Sequence, residues 1–99
     1  MIKHIVGWNF KEEFSGEENL NHAKKVKEGL EGLQDKIEGI KAIEVIIERV
    51  ENSIFDVVLL SEFDSLEALE TYQVHEEHVK VSEFVGTVLT NRTCVDYEV

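Results

Sequence analysis

The 99 residues contain no proline, a single cysteine (Cys94) and only 8% aromatic side chains. With proline absent and no Gly/Ser-rich or low-complexity stretch present, nothing reads as a linker, so residues 1–99 form one domain. One thiol cannot build a disulfide framework and suits a reducing compartment. No apolar run approaches the roughly 20 residues of a membrane helix. The opening Met1-Ile2-Lys3-His4 enters a strand-like pattern directly, without the n-region, h-region and cleavage site of a signal peptide. The expectation is a cytoplasmic protein with no membrane partner. No repeat of solenoid length is found.

Basic residues are also scarce. Lys and Arg number 10 against 21 Asp and Glu, a net charge of −11. Residues 1–50 carry 8 against 10, whereas residues 51–99 carry 2 against 11. Phosphate binding needs a basic stripe, so nucleic acid is excluded as a partner, and anionic lipid is repelled for the same reason. The acidity serves solubility. What is abundant is apolar material, at 42%, enough to supply a core.

Its arrangement gives two β-α-β-like halves. Residues 2–10 alternate, with Ile2, His4, Val6, Trp8 and Phe10 on one face. Ser15-Gly16-Glu17-Glu18 has the S-x-x-E form of a capping box. Leu20, Ala23, Val26, Leu30, Leu33 and Ile37 follow as one apolar helical stripe, which Gly39 is placed to end in a left-handed cap. Gly29 and Gly32 inside that helix mark close packing against a neighbour. Residues 42–50 and 54–63 read as strands joined by a hairpin loop at Glu51-Asn52-Ser53. Both strands are apolar on two faces, so something besides helices must cover the sheet. Asp64-x-x-Glu67 starts a helix through Leu66, Leu69 and Tyr72, a second helical stretch follows His75, and a strand over about 92–98 closes the chain. The order β-α-β-β-α-β is the split, ferredoxin-like α+β arrangement with an antiparallel sheet.

Few residues in this frame carry chemistry. His75 and His78 stand at i and i+3, which is not the H-E-x-x-H zinc pattern; one caps a helix and the other is half-buried in a hydrogen bond. No metal and no cofactor is expected. Cys94 has no base or cation beside it and reads as an inert, packed thiol. His4 interrupts an apolar strand face, and a buried imidazole needs a partner. Asp96 is the matching oddity on the last strand, which neighbours the first in a ferredoxin-like sheet. If Tyr72 and His78 turn inward, His4, Tyr72, His78 and Asp96 converge on one pocket as a candidate acid–base group, with His78 hydrogen-bonded to Asp96. Tyr72 and His78 share a face only if the helix breaks near His75.

The opening Met1-Ile2-Lys3-His4-Ile5-Val6-Gly7-Trp8, the segment Tyr72-Gln73-Val74-His75-Glu76-Glu77-His78-Val79 and the final Asp96-Tyr97 together resemble the stress-responsive A/B barrel (Dabb) family over essentially the full length. The resemblance implies a ferredoxin-like monomer that packs on its twin as a dimeric α+β barrel, which would cover the second sheet face. The family includes heat-stable and antifungal plant proteins and a polyketide cyclase similar to olivetolic acid cyclase. In that cyclase, residues matching His4, Tyr72, His78 and Asp96 line the active site. Glu76 stands where the family often has proline.

These readings give a homodimer with a pocket for a small hydrophobic ligand. The alternatives are a cyclase or lyase using His/Tyr/Asp acid–base chemistry on an enolisable carbonyl, and a cofactor-free monooxygenase of the dimeric-barrel type.

Overall fold

A computed structural model describes all 99 residues, in the order β1 (Ile2–Phe10), α1 (Gly16–Glu31), β2 (Ile40–Ile46), β3 (Val57–Phe63), α2 (Leu66–Val74), α3 (Glu76–Val88) and β4 (Leu89–Glu98). The strands form one antiparallel sheet in the order β2-β3-β1-β4. This is the ferredoxin-like α+β fold, and the antiparallel pairing of β1 with β4 brings the two ends of the chain together. No helix is long and apolar enough to cross a membrane.

Strand parity decides what the helices cover. Val6, Trp8, Val57, Leu59 and Phe63 are buried beneath Ala23, Val26 and Leu30 of α1 and Leu69, Tyr72, Val85 and Val88 of the other two helices. The opposite sheet face stays open. On it Ile5 pairs with Leu60 on one side and Val95 on the other, an apolar row across three strands. Leu60, Val95 and Tyr97 are 38%, 53% and 43% exposed.

Ser15 caps α1 as a full capping box: its side chain accepts from Glu18 N–H, and the Glu18 carboxylate accepts from Ser15 N–H. Several local features depart from expectation. Helix α1 stops at Glu31 and tightens into a 3-10 turn over Gly32–Asp35, while Gly39 takes the left-handed backbone (φ 92°) beyond it. Leu20 lies outside the apolar stripe, at 49% exposure. Of the two helical glycines only Gly29 marks close packing: a Cβ there would lie 3.1 Å from Val81 Cγ1, whereas one on Gly32 meets open space. The β2–β3 connection is longer than a three-residue hairpin loop because the last cross-strand pair is Ile46 with Val58. Asp56 holds that connection, its carboxylate accepting from Phe10 N–H at 2.8 Å and pairing with Arg49 at 3.0 Å.

The N-cap of α2 is Ser65, one residue past the expected Asp64. At the outer edge of the sheet, side chains of α1 and of the 3-10 turn meet the free backbone of β2. Lys27 Nζ donates to the Val45 carbonyl at 2.6 Å, the Glu31 carboxylate accepts from Val45 N–H at 2.9 Å, and Gln34 donates to the Lys41 carbonyl at 3.1 Å.

Candidate functional site

The helical run after β3 is broken at His75, whose backbone is extended (φ −64°, ψ 136°). No proline enforces the break. The His75 imidazole does so instead, its Nδ1 accepting from Glu77 N–H at 3.0 Å as the N-cap of α3. At the same junction His78 Nδ1 donates to the Gln73 carbonyl at 3.2 Å. One histidine caps and the other is half-buried and hydrogen-bonded, as their spacing predicts.

The break turns Tyr72 and His78 toward each other, with ring centroids 4.2 Å apart. His4 also packs on Tyr72, 6.3 Å away and edge-on. Both imidazoles thus contact the one phenol ring. Asp96 faces His4 directly in the β1–β4 register, and its carboxylate accepts from His4 Nδ1–H. The expected His78–Asp96 hydrogen bond does not form. Cross-strand register gives Asp96 to His4, and His78 Nδ1 is already committed to Gln73.

Protonation follows from these partners. A carboxylate can only accept, so His4 carries its proton on Nδ1; the Gln73 carbonyl likewise fixes the Nδ1–H form of neutral His78. Both histidines keep an Nε2 lone pair without a partner in the chain. Burial holds the His78 pKa below its ordinary value, with the hydrogen bond to Gln73 opposing this. Burial pushes the Tyr72 phenol well above its ordinary value, so it stays protonated. Its hydroxyl is enclosed and has no hydrogen-bond partner.

Beside the two imidazoles lies a cavity of about 220 Å³. His4 and His78 line it, with Val6, Trp8, Leu30 and Leu59 as its apolar wall. Tyr72 and Asp96 do not line it; each contacts an imidazole that does. The strand-start residues Asn91 and Arg92 also line it. Sequence reasoning missed both, although Arg92 is one of only two basic residues after position 50 and Asn is the non-glycine residue most at ease with positive φ.

Cys94 is exposed rather than packed. Its sulfur turns to the His4–Asp96 pair, 3.4 Å from the carboxylate oxygen it donates to and 3.6 Å from His4 Nδ1. Partial burial of the sulfur and its bond to Asp96 raise the thiol pKa, against the nearby Arg92. His4, Cys94 and Asp96 thereby bring three donor atoms within 4.8 Å of one another. A cation among them would have to replace the proton shared by His4 and Asp96.

Residues 2–99 match the family model of the stress responsive A/B barrel domain. The chain belongs to that family. Among solved structures it is similar to a dimeric protein of unknown function and ferredoxin-like fold from Bacteroides fragilis, at 35% identity and TM-score 0.92 over 99% of this chain and 95% of that one. The Arabidopsis thaliana protein At3g17210 is similar at 25% identity and TM-score 0.76, over 100% and 95%. A structure named antibiotic biosynthesis monooxygenase shares the fold alone, at 15% identity and TM-score 0.77 over 100% and 98%. No curated protein matches the sequence significantly.

Proposed function

We propose that this A/B barrel protein binds a small ligand with an apolar body in the cavity beside His4 and His78, and that the two imidazoles exchange protons with it. The observation that carries this reading is the pair of Nε2 lone pairs at one cavity, each imidazole fixed in its tautomer by a partner on Nδ1. A neutral imidazole of this kind can take a proton from carbon beside a carbonyl group. His4 is the better oriented for that proton, because its Nδ1–H is held by the Asp96 carboxylate. His78, whose pKa burial depresses, stays unprotonated near neutral pH and serves as the second base or returns a proton it has just received. Asp96 and Tyr72 are positioning residues, the first through its hydrogen bond and the second through ring contact with both histidines. The reaction class supported is cyclisation or lysis of an enolisable carbonyl compound by acid–base chemistry.

The working unit in this reading is a homodimer formed through the open sheet face. The apolar row of Ile5, Leu60 and Val95 needs a cover, and the similar Bacteroides protein is described as dimeric. The single thiol supports a cytoplasmic setting. Trp8 is the sole tryptophan and sits in the cavity wall, so its fluorescence reports occupancy. A screen of small enolisable ketones and esters is expected to find compounds that quench Trp8 and lose an α-proton to solvent deuterium. Exchange that is equally fast with the His4→Ala and His78→Ala double variant would overturn the acid–base role. Exchange lost with binding retained is the expected outcome.

A further inference from the structure

The cavity is the exception in an acidic molecule. The chain carries 21 Asp and Glu, yet none of them lines it. The charged side chain that does is Arg92, accompanied by two imidazoles, hydroxyls of Ser82 and Thr90, and the Asn91 amide. Arg92 has no carboxylate partner, whereas Arg49, the other arginine, is paired with Asp56 at 3.0 Å.

The backbone is bent to produce this. Gly7 of β1 pairs with Thr93 and Asn9 pairs with Thr90, so two steps on β1 face three on β4. The extra residue is a bulge at Asn91, which takes a left-handed backbone of φ 57°. In a regular strand, alternate residues point to opposite faces. Here the consecutive residues Leu89, Thr90, Asn91 and Arg92 all line the cavity. The Asn91 side chain donates to Asn9 Oδ1 at 2.7 Å and holds the bulge in place. A bulge re-aims side chains, and positive φ on a non-glycine residue costs energy, so such features collect at binding sites.

We propose that the cavity's ligand is a small organic carboxylate with an apolar body, and that Arg92, presented by the Asn91 bulge, determines this specificity by pairing with the carboxylate. The inference rests on the reading of this cavity as a ligand site and names the class of ligand it takes. Guanidinium and carboxylate match as a two-point, charge-assisted pair. Val6, Trp8, Leu30 and Leu59 receive the apolar body. A dry cavity of about 150 Å³ holds benzene, so about 220 Å³ suits one ring with a short arm.

The test uses phenylacetate and its neutral isostere phenylacetamide at low salt, followed by quenching of Trp8 and by amide shifts of Leu89 to Arg92 in the whole protein. Wild type is expected to bind the anion tighter by about tenfold or more, the usual worth of one charge-assisted contact. Arg92→Leu should abolish that preference, weakening the anion by about tenfold more than the neutral probe, and Arg92→Lys should keep part of it. Equal binding of both probes to wild type, or an anion preference that survives in Arg92→Leu, overturns the proposal and leaves the ligand site standing. Binding of neither probe at millimolar concentration overturns both readings.

Discussion

His4 and Asp96 are 92 residues apart in the chain and directly opposite each other on β1 and β4, joined by a hydrogen bond from the imidazole to the carboxylate. The imidazole is buried while the carboxylate is more than a third exposed. The aspartate therefore supplies a buried ring with its partner without itself being taken out of water. Asp96→Ala removes that partner and is expected to cost about 1–3 kcal/mol in urea unfolding, the usual cost of an orphaned buried donor. Asp96→Asn, which can still accept through its amide oxygen, should recover most of the loss.

Tyr72 presents the opposite case, a buried hydroxyl with no partner. Tyr72→Phe keeps the ring contacts with His78 and Phe63 and removes an unsatisfied polar atom. Thermal melting should show stability unchanged or raised, by up to about 1 kcal/mol. A loss larger than that would mean the phenol has a partner in solution.

Burial lowers the His78 pKa from its ordinary 6.5, so the unfolded chain takes up this proton at higher pH than the folded protein does. Stability is full above the unfolded value and falls as pH drops through 6.5 toward the folded value. The urea midpoint is expected to decrease between about pH 7.5 and pH 5.5, and His78→Asn should flatten that decrease. An unchanged slope in the variant would remove His78 as its source.

Glu76 is the first residue of α3, where the backbone N–H has no helical partner, and the preceding His75 is already extended, as a residue before proline must be. Glu76→Pro should therefore fold and gain about 0.4–1 kcal/mol from the stiffer unfolded chain. Loss of the exposed 3.8 Å contact with Lys80 offsets little of this. A destabilised variant would show that the junction moves more than its static geometry indicates.

Leu60 stands at the centre of the open sheet face. Leu60→Lys is expected to convert a dimer into a monomer in sedimentation equilibrium with no change in the far-ultraviolet spectrum, because the side chain takes no part in the buried core. A wild-type protein that sediments as a monomer at micromolar concentration would refute the dimer.

Sequence parity was enough to put His4 on the helix-covered face, and the ferredoxin-like order was enough to put Asp96 beside it. The choice of His4 over His78 as the aspartate's partner depends on β1–β4 register and on a helix junction that occupies His78 Nδ1, neither of which local patterns encode. The break at His75 was foreseeable as a requirement but not as a mechanism, since histidine is an unusual N-cap. The long β2–β3 connection escaped because Asp56 bonds to Phe10, across 46 positions of sequence. Arg92 escaped for a similar reason: alternation assigns neighbouring residues of a strand to opposite faces, and a bulge cancels that rule.

The two outer strands of the sheet are not equivalent. Along β2, two α1 side chains and Gln34 of the turn that follows already occupy outward backbone groups of Val45 and Lys41. An extended segment pairing there would have to displace a lysine, a glutamate and a glutamine to reach those groups. Strand addition along β2 is thereby opposed, so α1 and the turn that follows it shield a sheet edge as well as cover the core.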